Sequence, residues 1–496
     1  MTSAMRGIRM RNALPLAALL LAGCNLAPDF RQPPAPVAAT FPDATPGQRL
    51  ATDLGWRDFF VDPQLQTYIA AALANNRDLA QSVARIAQAR ARYRIEDAAR
   101  LPELDAQAGV SVTRTPLSGL GFGDAVGDGT DDGADAASSV TFTQYTVGVA
   151  VPQFELDFWG RVRNLSEAAR REYLATVEAE RAFRLSLISQ VAATYLSIRA
   201  GEERIALAER TLTGRREGLR IARLRMEGGV TSTVDFDQSQ LLVTQAETEL
   251  AELQRTTQQS RNLLTVLAGG PVAGPLPAPR PLAGSGQFAA IDPGLPSALL
   301  ANRPDILAAE QRLRAADANI GAARAAFLPS ISLTGALGFL SPALGDLVGG
   351  DSLNANVAGN ALLPIFDWGR RDAALRLSRA QADELVAAYQ RTAQEAFREV
   401  ADALVGRRRF AEQIAAQERA VAAQARLARV AGLRYGNGIA IYLEVLDAER
   451  NLFAAQQQLI ALRSAELQNG VSLYIALGGG LRETATSPER IPAEAR

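Results

Sequence analysis

Leu104-Asp105-Ala106-Gln107-Ala108-Gly109-Val110-Ser111-Val112-Thr113 alternates apolar and polar residues without a break. Successive side chains of a strand point to opposite faces, so this period of two predicts a strand with one apolar and one polar face. Pro102, two residues earlier, ends the helical pattern before it. A second run follows over 144–151, with Tyr145, Val147, Val149 and Val151 on one face and Gln144, Thr146, Gly148 and Ala150 on the other. Later the pattern returns on Ile331, Leu333, Leu337 and Phe339, then on Val357, Ala361 and Leu363. About ten alternating residues is the length that crosses a bilayer at a tilt. The same pattern also fits a half-buried hairpin in a soluble sheet, so alternation alone leaves both readings open.

The N-terminus decides between them. Arg6, Arg9 and Arg11 form a positive segment ahead of the short apolar run 13–22, too short to span a membrane as a helix. It ends in Leu21-Ala22-Gly23-Cys24, which resembles the bacterial lipobox, where the signal is cut before a cysteine whose thiol takes the lipid. Residues 1–23 are therefore expected to be a lipoprotein signal peptide, with Cys24 as the lipidation site. Asn25 follows, and the resemblance to bacterial lipoproteins implies export to the outer membrane, since Asp there commonly favours retention. Cleavage removes three Arg and no acid, taking the formal charge from −1 to −4. Pro28, Pro33, Pro34, Pro36, Pro42 and Pro46 then predict an extended tether rather than a packed element. With this address the strands belong in lipid. Four strands cannot close a barrel, and an open edge cannot face hydrocarbon, so the barrel must be shared between chains. Two chains would give eight strands and a filled interior, three would give twelve and a lumen.

The rest of the chain is written twice. Trp159-Gly160-Arg161 recurs as Trp368-Gly369-Arg370, an offset of 209 that also pairs Val191 with Val400, Arg225 with Arg434, and Gly229 with Gly438. The front of each half matches at an offset of 227, through Asp78/Asp305 and Pro102/Pro329. The difference of 18 residues falls in the Gly- and Asp-rich stretch 116–139. Residues 64–100 and 296–327 read as helices. Residues 161–227 hold 67 positions without Pro, about 100 Å of helix, with Gly201, Gly214 and Gly218 as candidate bends. Phe183, Leu187, Val191, Tyr195 and Ile198 form one apolar stripe; Leu385, Tyr389, Thr392, Ala396 and Val400 begin its counterpart. Gly228-Gly229 and Gly436-Asn437-Gly438 supply positive-φ positions for turns into returning helices near 232–268 and 441–477. Periodicity alone does not separate these hairpins from a coiled-coil stalk.

Composition excludes several functions. The chain has no His and one Cys, which removes Ser/His and Cys/His catalysis and the usual zinc sites. No catalytic residue, metal site or cofactor is expected. A charge near zero without a basic block argues against nucleic acid. Asp128, Thr130, Asp132 and Gly133 have the opening spacing of a calcium loop, but its twelfth position is Ser139 rather than Glu, so an extracellular loop is the better reading.

Several blocks resemble the outer-membrane factor family of TolC and OprM type, in its lipoprotein branch (NodT-like efflux lipoproteins). They are Arg303-Pro304-Asp305-Ile306, Pro329-Ser330-Ile331-Ser332-Leu333-Thr334-Gly335, Glu155-Leu156-Asp157-Phe158-Trp159-Gly160-Arg161, and Tyr442-Leu443-Glu444-Val445-Leu446-Asp447-Ala448-Glu449. The resemblance implies a mixed α+β membrane protein: a trimeric twelve-stranded transmembrane β-barrel, four strands per chain, continued by a long α-helical periplasmic barrel. It implies a homotrimer in outer-membrane lipid, working with a periplasmic adaptor (a membrane fusion protein) and an inner-membrane transporter of the resistance-nodulation-division type. The duct would conduct small molecules or drugs passively, without a cofactor. The domains expected are the 24–60 tether and equatorial segment, a first repeat at 61–270 with a hairpin at 103–152 and a tip near 228–231, and a linker at 271–295. A second repeat follows at 296–480, with a hairpin at 330–364 and a tip near 436–440, then a polar tail at 481–496. The resemblance places Gly229 and Gly438 at the periplasmic tip, Asp235, Glu444 and Asp447 in its constriction, and Tyr435 in closed-state contacts. Ala440 stands where some members have an Arg partner for that tyrosine. The alternatives are the outer component of type I protein secretion and, in another class, a coiled-coil structural lipoprotein of the periplasm.

Overall fold

The computed structural model describes residues 25–41, 49–116, 139–283, 288–289, 291–292, 294, 296–349 and 351–486. The signal segment, Cys24, most of the Gly/Asp-rich loop and the end of the tail lie outside the described residues. In chain order the helices are α1 (Trp56–Phe59), α2 (Pro63–Asn75), α3 (Arg77–Ala98), α4 (Arg161–Glu227), α5 (Thr233–Leu267), α6 (Pro296–Asn302), α7 (Pro304–Ala325), α8 (Arg370–Gly436) and α9 (Tyr442–Ala476). The strands are β1 (Asp105–Pro116) and β2 (Ser139–Leu156) between α3 and α4, and β3 (Ser330–Ser341) and β4 (Leu353–Leu362) between α7 and α8.

Both front helices, read from the sequence as unbroken, are interrupted once. The breaks fall at Asn76 and Arg303, which are themselves 227 apart. Asn76 adopts an extended backbone with ψ 131°. Its side-chain oxygen accepts from the Leu79 N–H at 2.9 Å, and its Nδ2 donates to the Leu267 carbonyl at 2.9 Å. Such local side-chain bonds compete with helix continuation, which is why a periodic sequence still breaks here. In the second half Pro304 enforces the break, and Arg303 Nη1 donates to the Ala476 carbonyl at 3.0 Å. Leu267 and Ala476 are again 209 apart, so each half ties the head of a front helix to the last turn of a returning one.

The strands form one antiparallel sheet in the order β1-β2-β3-β4. Gly148 and Gly338 face each other in the middle pair, where a Cβ on Gly148 would lie 2.6 Å from the Gly338 Cα, so the strands approach as only glycine permits. A bulge between Val151 and Phe154 shifts the β2–β3 register. β1 and β4 are the sheet edges, and every described residue of β4 is exposed.

The chain divides into two compact units that do not follow the sequence halves. Among the described residues, one gathers those up to 31, those within 90–172 and those within 313–384, including the whole sheet; the other gathers those within 32–89, within 173–312 and from 385 onward. In the second unit Phe59 lies between Phe288 and Tyr474, with ring centroids 4.9 and 3.9 Å away and planes within 8°. The Tyr474 hydroxyl donates to the Leu54 carbonyl at 2.7 Å. The tail joins by backbone bonds from Trp56 and Arg57 to Arg482 and Glu483, 3.0 Å each. The apolar stripe holds: Leu187, Val191, Tyr195 and Ile198 are buried. α4 runs unbroken through Gly201 and Gly218, which admit Thr257 and the Tyr442 hydroxyl close to it.

The described part of the Pro-rich segment, residues 25–41, forms no helix or strand, but the expectation that it is unpacked is wrong. In the first unit Arg324 Nη1 donates to the Leu26 carbonyl at 2.9 Å, and the Arg314 guanidinium lies 3.8 Å over the Phe30 ring. In the second, Gln32 donates to the Tyr389 hydroxyl at 2.8 Å and Phe41 stacks on Phe397 at 5.1 Å. Outside regular secondary structure the segment's carbonyls and rings are available to dock on helices. Prolines set the conformation, and the side chains between them do the packing.

Candidate functional site

The two hairpin tips lie in the second unit and are built alike. At the end of α4 the Val230 N–H reaches back to the Arg225 carbonyl (2.8 Å) and the Gly229 N–H to Met226 (3.0 Å). At the end of α8 Ile439 reaches Arg434 (2.9 Å) and Gly438 reaches Tyr435 (3.0 Å). This is the Schellman pattern, and it needs a left-handed residue just past the helix. Gly229 and Gly438 supply it with φ of +72° and +73°; Gly228 and Gly436, also read as turn candidates, do not.

Each returning helix starts three residues after its tip glycine's successor, with Ser232 and Ile441 at the N-cap positions in extended conformation and no side-chain capping bond. Asp235 and Glu444 then sit in the first turns of α5 and α9. A carboxylate there stabilises the helix through its unpaired N–H groups and positive end, whatever else it does. Glu444 pairs with Arg434 from the last turn of α8 at 3.2 Å, and Asp447 pairs with Arg450 at 3.0 Å. These pairs are about half exposed and worth little to stability. Among the described residues Asp235 has no ion-pair partner within 4 Å, although Ser239 Oγ donates to its backbone carbonyl at 2.8 Å.

Tyr435 and Tyr442 contact with centroids 4.9 Å apart, and the Arg225 guanidinium lies 4.4 Å over the Tyr435 ring. Position 440 carries Ala, and the cation over Tyr435 comes from α4. Nothing in the local sequence announces this, although Arg225 and Arg434 are a repeat pair. The Tyr435 hydroxyl is buried without a hydrogen-bond partner. Tyr442 packs with Leu242, Ala431, Val445 and Leu446 in a small core. Burial raises the Tyr442 hydroxyl pKa, opposed by a Ser239 hydrogen bond and reinforced by Glu449, Tyr435 and Asp235. One layer further in, Arg215 is buried, donates to the Leu242 carbonyl at 3.0 Å and faces Phe453 at 5.5 Å. Burial lowers its pKa and raises that of Glu449, each partly offset by the other's charge. Sequence reading missed this pair because neither residue has an ionic counterpart across the repeat.

Long helical hairpins with twin glycine turns, carried by a chain whose sheet has two open edges, define a subunit of a membrane channel. A pattern shared by outer membrane efflux proteins matches residues 68–270 and 295–479, and the chain belongs to that family. It is 41 % identical over 446 residues to the toluene efflux pump outer membrane protein TtgI of Pseudomonas putida, covering 88 % of this chain and 92 % of that one. It is 38 % identical over 471 residues to the cation efflux system protein CusC of Escherichia coli, covering 94 % and 98 %. Its structure is similar to the open state of the MtrE outer membrane channel of Neisseria gonorrhoeae, with a TM-score of 0.82 at 35 % identity, covering 94 % and 100 %. The fold is therefore the α+β channel fold in which three chains of four strands share one barrel. The protein is an outer-membrane efflux channel, which decides against the secretion and structural-lipoprotein alternatives.

Proposed function

We propose that the trimer is a passive exit duct, narrowed at its periplasmic mouth by Asp235, Glu444 and Asp447, with Gly229 and Gly438 forming the tip turns and Tyr435 holding the mouth closed. The observation that carries this reading is the near-identity of the two tip turns. Each glycine is followed six residues later by an acid, so three copies set rings of carboxylates at one level. Such rings concentrate cations in a narrow mouth. The duct does no catalysis and uses no cofactor; export is driven by an inner-membrane transporter of the resistance-nodulation-division type through a periplasmic adaptor. Support for a docked partner comes from the exposed apolar side chains at the tips, Val230 at 72 % and Ile439 at 69 % exposure. Relatives named for toluene and for cations match this chain almost equally well, which supports a cargo chosen by the transporter rather than by the duct.

Cys24 carries the acyl anchor, and the segment that follows it is held down from Leu26 onward. Palmitate labelling should mark the wild type and miss Cys24→Ser, with trimer present in both. The function is tested by restoring efflux in cells that lack their own outer channel but hold the native adaptor and transporter. Assembled trimer without restored efflux would refute the duct.

A further inference from the structure

The two tryptophans of the repeat are in opposite situations. Trp159 follows β2, and its indole N–H donates at 2.8 Å to the carbonyl of Pro329, the residue that leads into β3. β3 is the strand paired with β2. Trp368 holds the matching repeat position, six residues past the end of β4, yet it is 90 % exposed and it alone among the described non-glycine residues has positive φ, +58°. A bulky residue in that conformation persists only where its surroundings demand it. The counterpart of Pro329 is Pro102, which leads into β1 and is also exposed. β4 has no partner on its outer side, and neither has β1.

The repeat also fixes how those two edges meet. β2 carries one extra residue at its bulge and β4 pairs without a register shift, so residues before the bulge correspond at an offset of 210 rather than 209. The intact hairpins check this: Asp105↔Ala150 maps onto Ser332↔Asn360, which is the observed pair. Carried to the open edges, Val147↔Phe339 becomes Val357 opposite Val112, and Leu156↔Ile331 becomes Ile365 opposite Leu104. Both pairs join exposed apolar residues, Val112 at 66 % and Val357 at 85 % among them. The alternation supports the same register independently. Leu104, Ala106, Ala108, Val110 and Val112 meet Ile365, Leu363, Ala361, Gly359 and Val357, and a one-residue slip would set this face against Asn360 and Asn356.

We propose that β1 and β4 of adjacent copies pair with Val112 opposite Val357 of the partner subunit, and that Trp368 locks this seam by donating its indole N–H to the carbonyl of Pro102 of the partner subunit. The proposal rests on the shared trimeric barrel and adds its register and its lock. Each copy thereby repeats between chains the contact that Trp159 makes within one.

The test is cysteine cross-linking of the full-length trimer in outer membranes. The double variant Val112→Cys/Val357→Cys is compared with the slipped pairs Val112→Cys/Ala355→Cys and Val112→Cys/Gly359→Cys, with single variants as controls for Cys24. Opposed Cβ atoms on paired strands lie about 5 Å apart, within disulfide reach of a small adjustment, whereas a two-residue slip adds several ångströms. The expected result is at least a fivefold higher yield of covalent trimer from the first pair after mild oxidation. A higher yield from a slipped pair overturns the register and leaves the shared barrel standing; no covalent trimer from any pair overturns the shared barrel itself. Trp368→Phe keeps the ring and removes the donor. It should lower the temperature at which the trimer dissociates in detergent by a few degrees, and an unchanged dissociation temperature overturns the lock.

Discussion

The aromatic core of the second unit and its hairpin tips both draw on the long returning helix α9, which carries Tyr474 and Tyr442, yet they are held in different ways. In the core Phe59, Phe60 and Tyr474 are almost fully buried, stacked face to face and edge to face, with the tyrosine hydroxyl satisfied. At the tips a cluster of five buried apolar residues is flanked by half-exposed ion pairs, and the Tyr435 hydroxyl lacks a partner. Elements that move are drawn from the low-stability end of a structure. The contrast predicts a core that opens only with global unfolding and tips that open locally.

The largest effect should come from Tyr474→Ala, which empties a fully buried ring site and orphans the Leu54 carbonyl. Truncating a buried aromatic costs about 3–5 kcal/mol, enough to lose most folded trimer. Trimer yield in membranes would show it, and near-normal yield would erase the contrast from the core side. Gly438→Ala should cost less, about 1–2 kcal/mol, since only a left-handed residue fits there without strain. The cost should stay local, with faster hydrogen exchange around 430–450 and unchanged protection at Tyr474. Loss of protection in both places would show that the tips are not an independent unit.

A smaller effect concerns pH. Burial holds the Glu449 carboxyl above its ordinary range, with Arg215 opposing the shift. The folded tip then binds a proton that the unfolded chain has released, so its stability is highest below the ordinary carboxylate value. It should fall as pH rises from there through the raised value. Exchange protection at the start of α9 should follow this trend in the wild type and lose it in Glu449→Gln. The same slope in both would assign the trend to another group.

What the sequence made legible was whatever repeats or alternates. The strands were readable because period two survives over ten residues, and the tips because two glycines share one register. The break at Asn76 was hidden because a side chain's local bonds do not disturb helical periodicity, whereas the one at Arg303 is marked in the sequence by Pro304. The docking of the Pro-rich segment was hidden for a related reason: proline spacing reports backbone conformation and carries no record of what Phe30, Gln32 and Phe41 touch. At the tips the acids were readable from resemblance, whereas the arginine stacked on Tyr435 comes from a position close in space but remote in sequence. Arg225 over Tyr435 joins residues 210 apart.

The most direct measurement is ion selectivity of the reconstituted trimer in planar bilayers, with Asp235→Asn compared with the double variant Glu444→Gln/Asp447→Asn. Glu444 and Asp447 each share their charge with an arginine, and Asp235 has no such partner among the described residues. The account predicts a cation-preferring wild type, weaker preference in both variants and the larger loss for Asp235→Asn. Unchanged selectivity in both, with trimer intact, would place these acids on an outer solvated face and contradict the account.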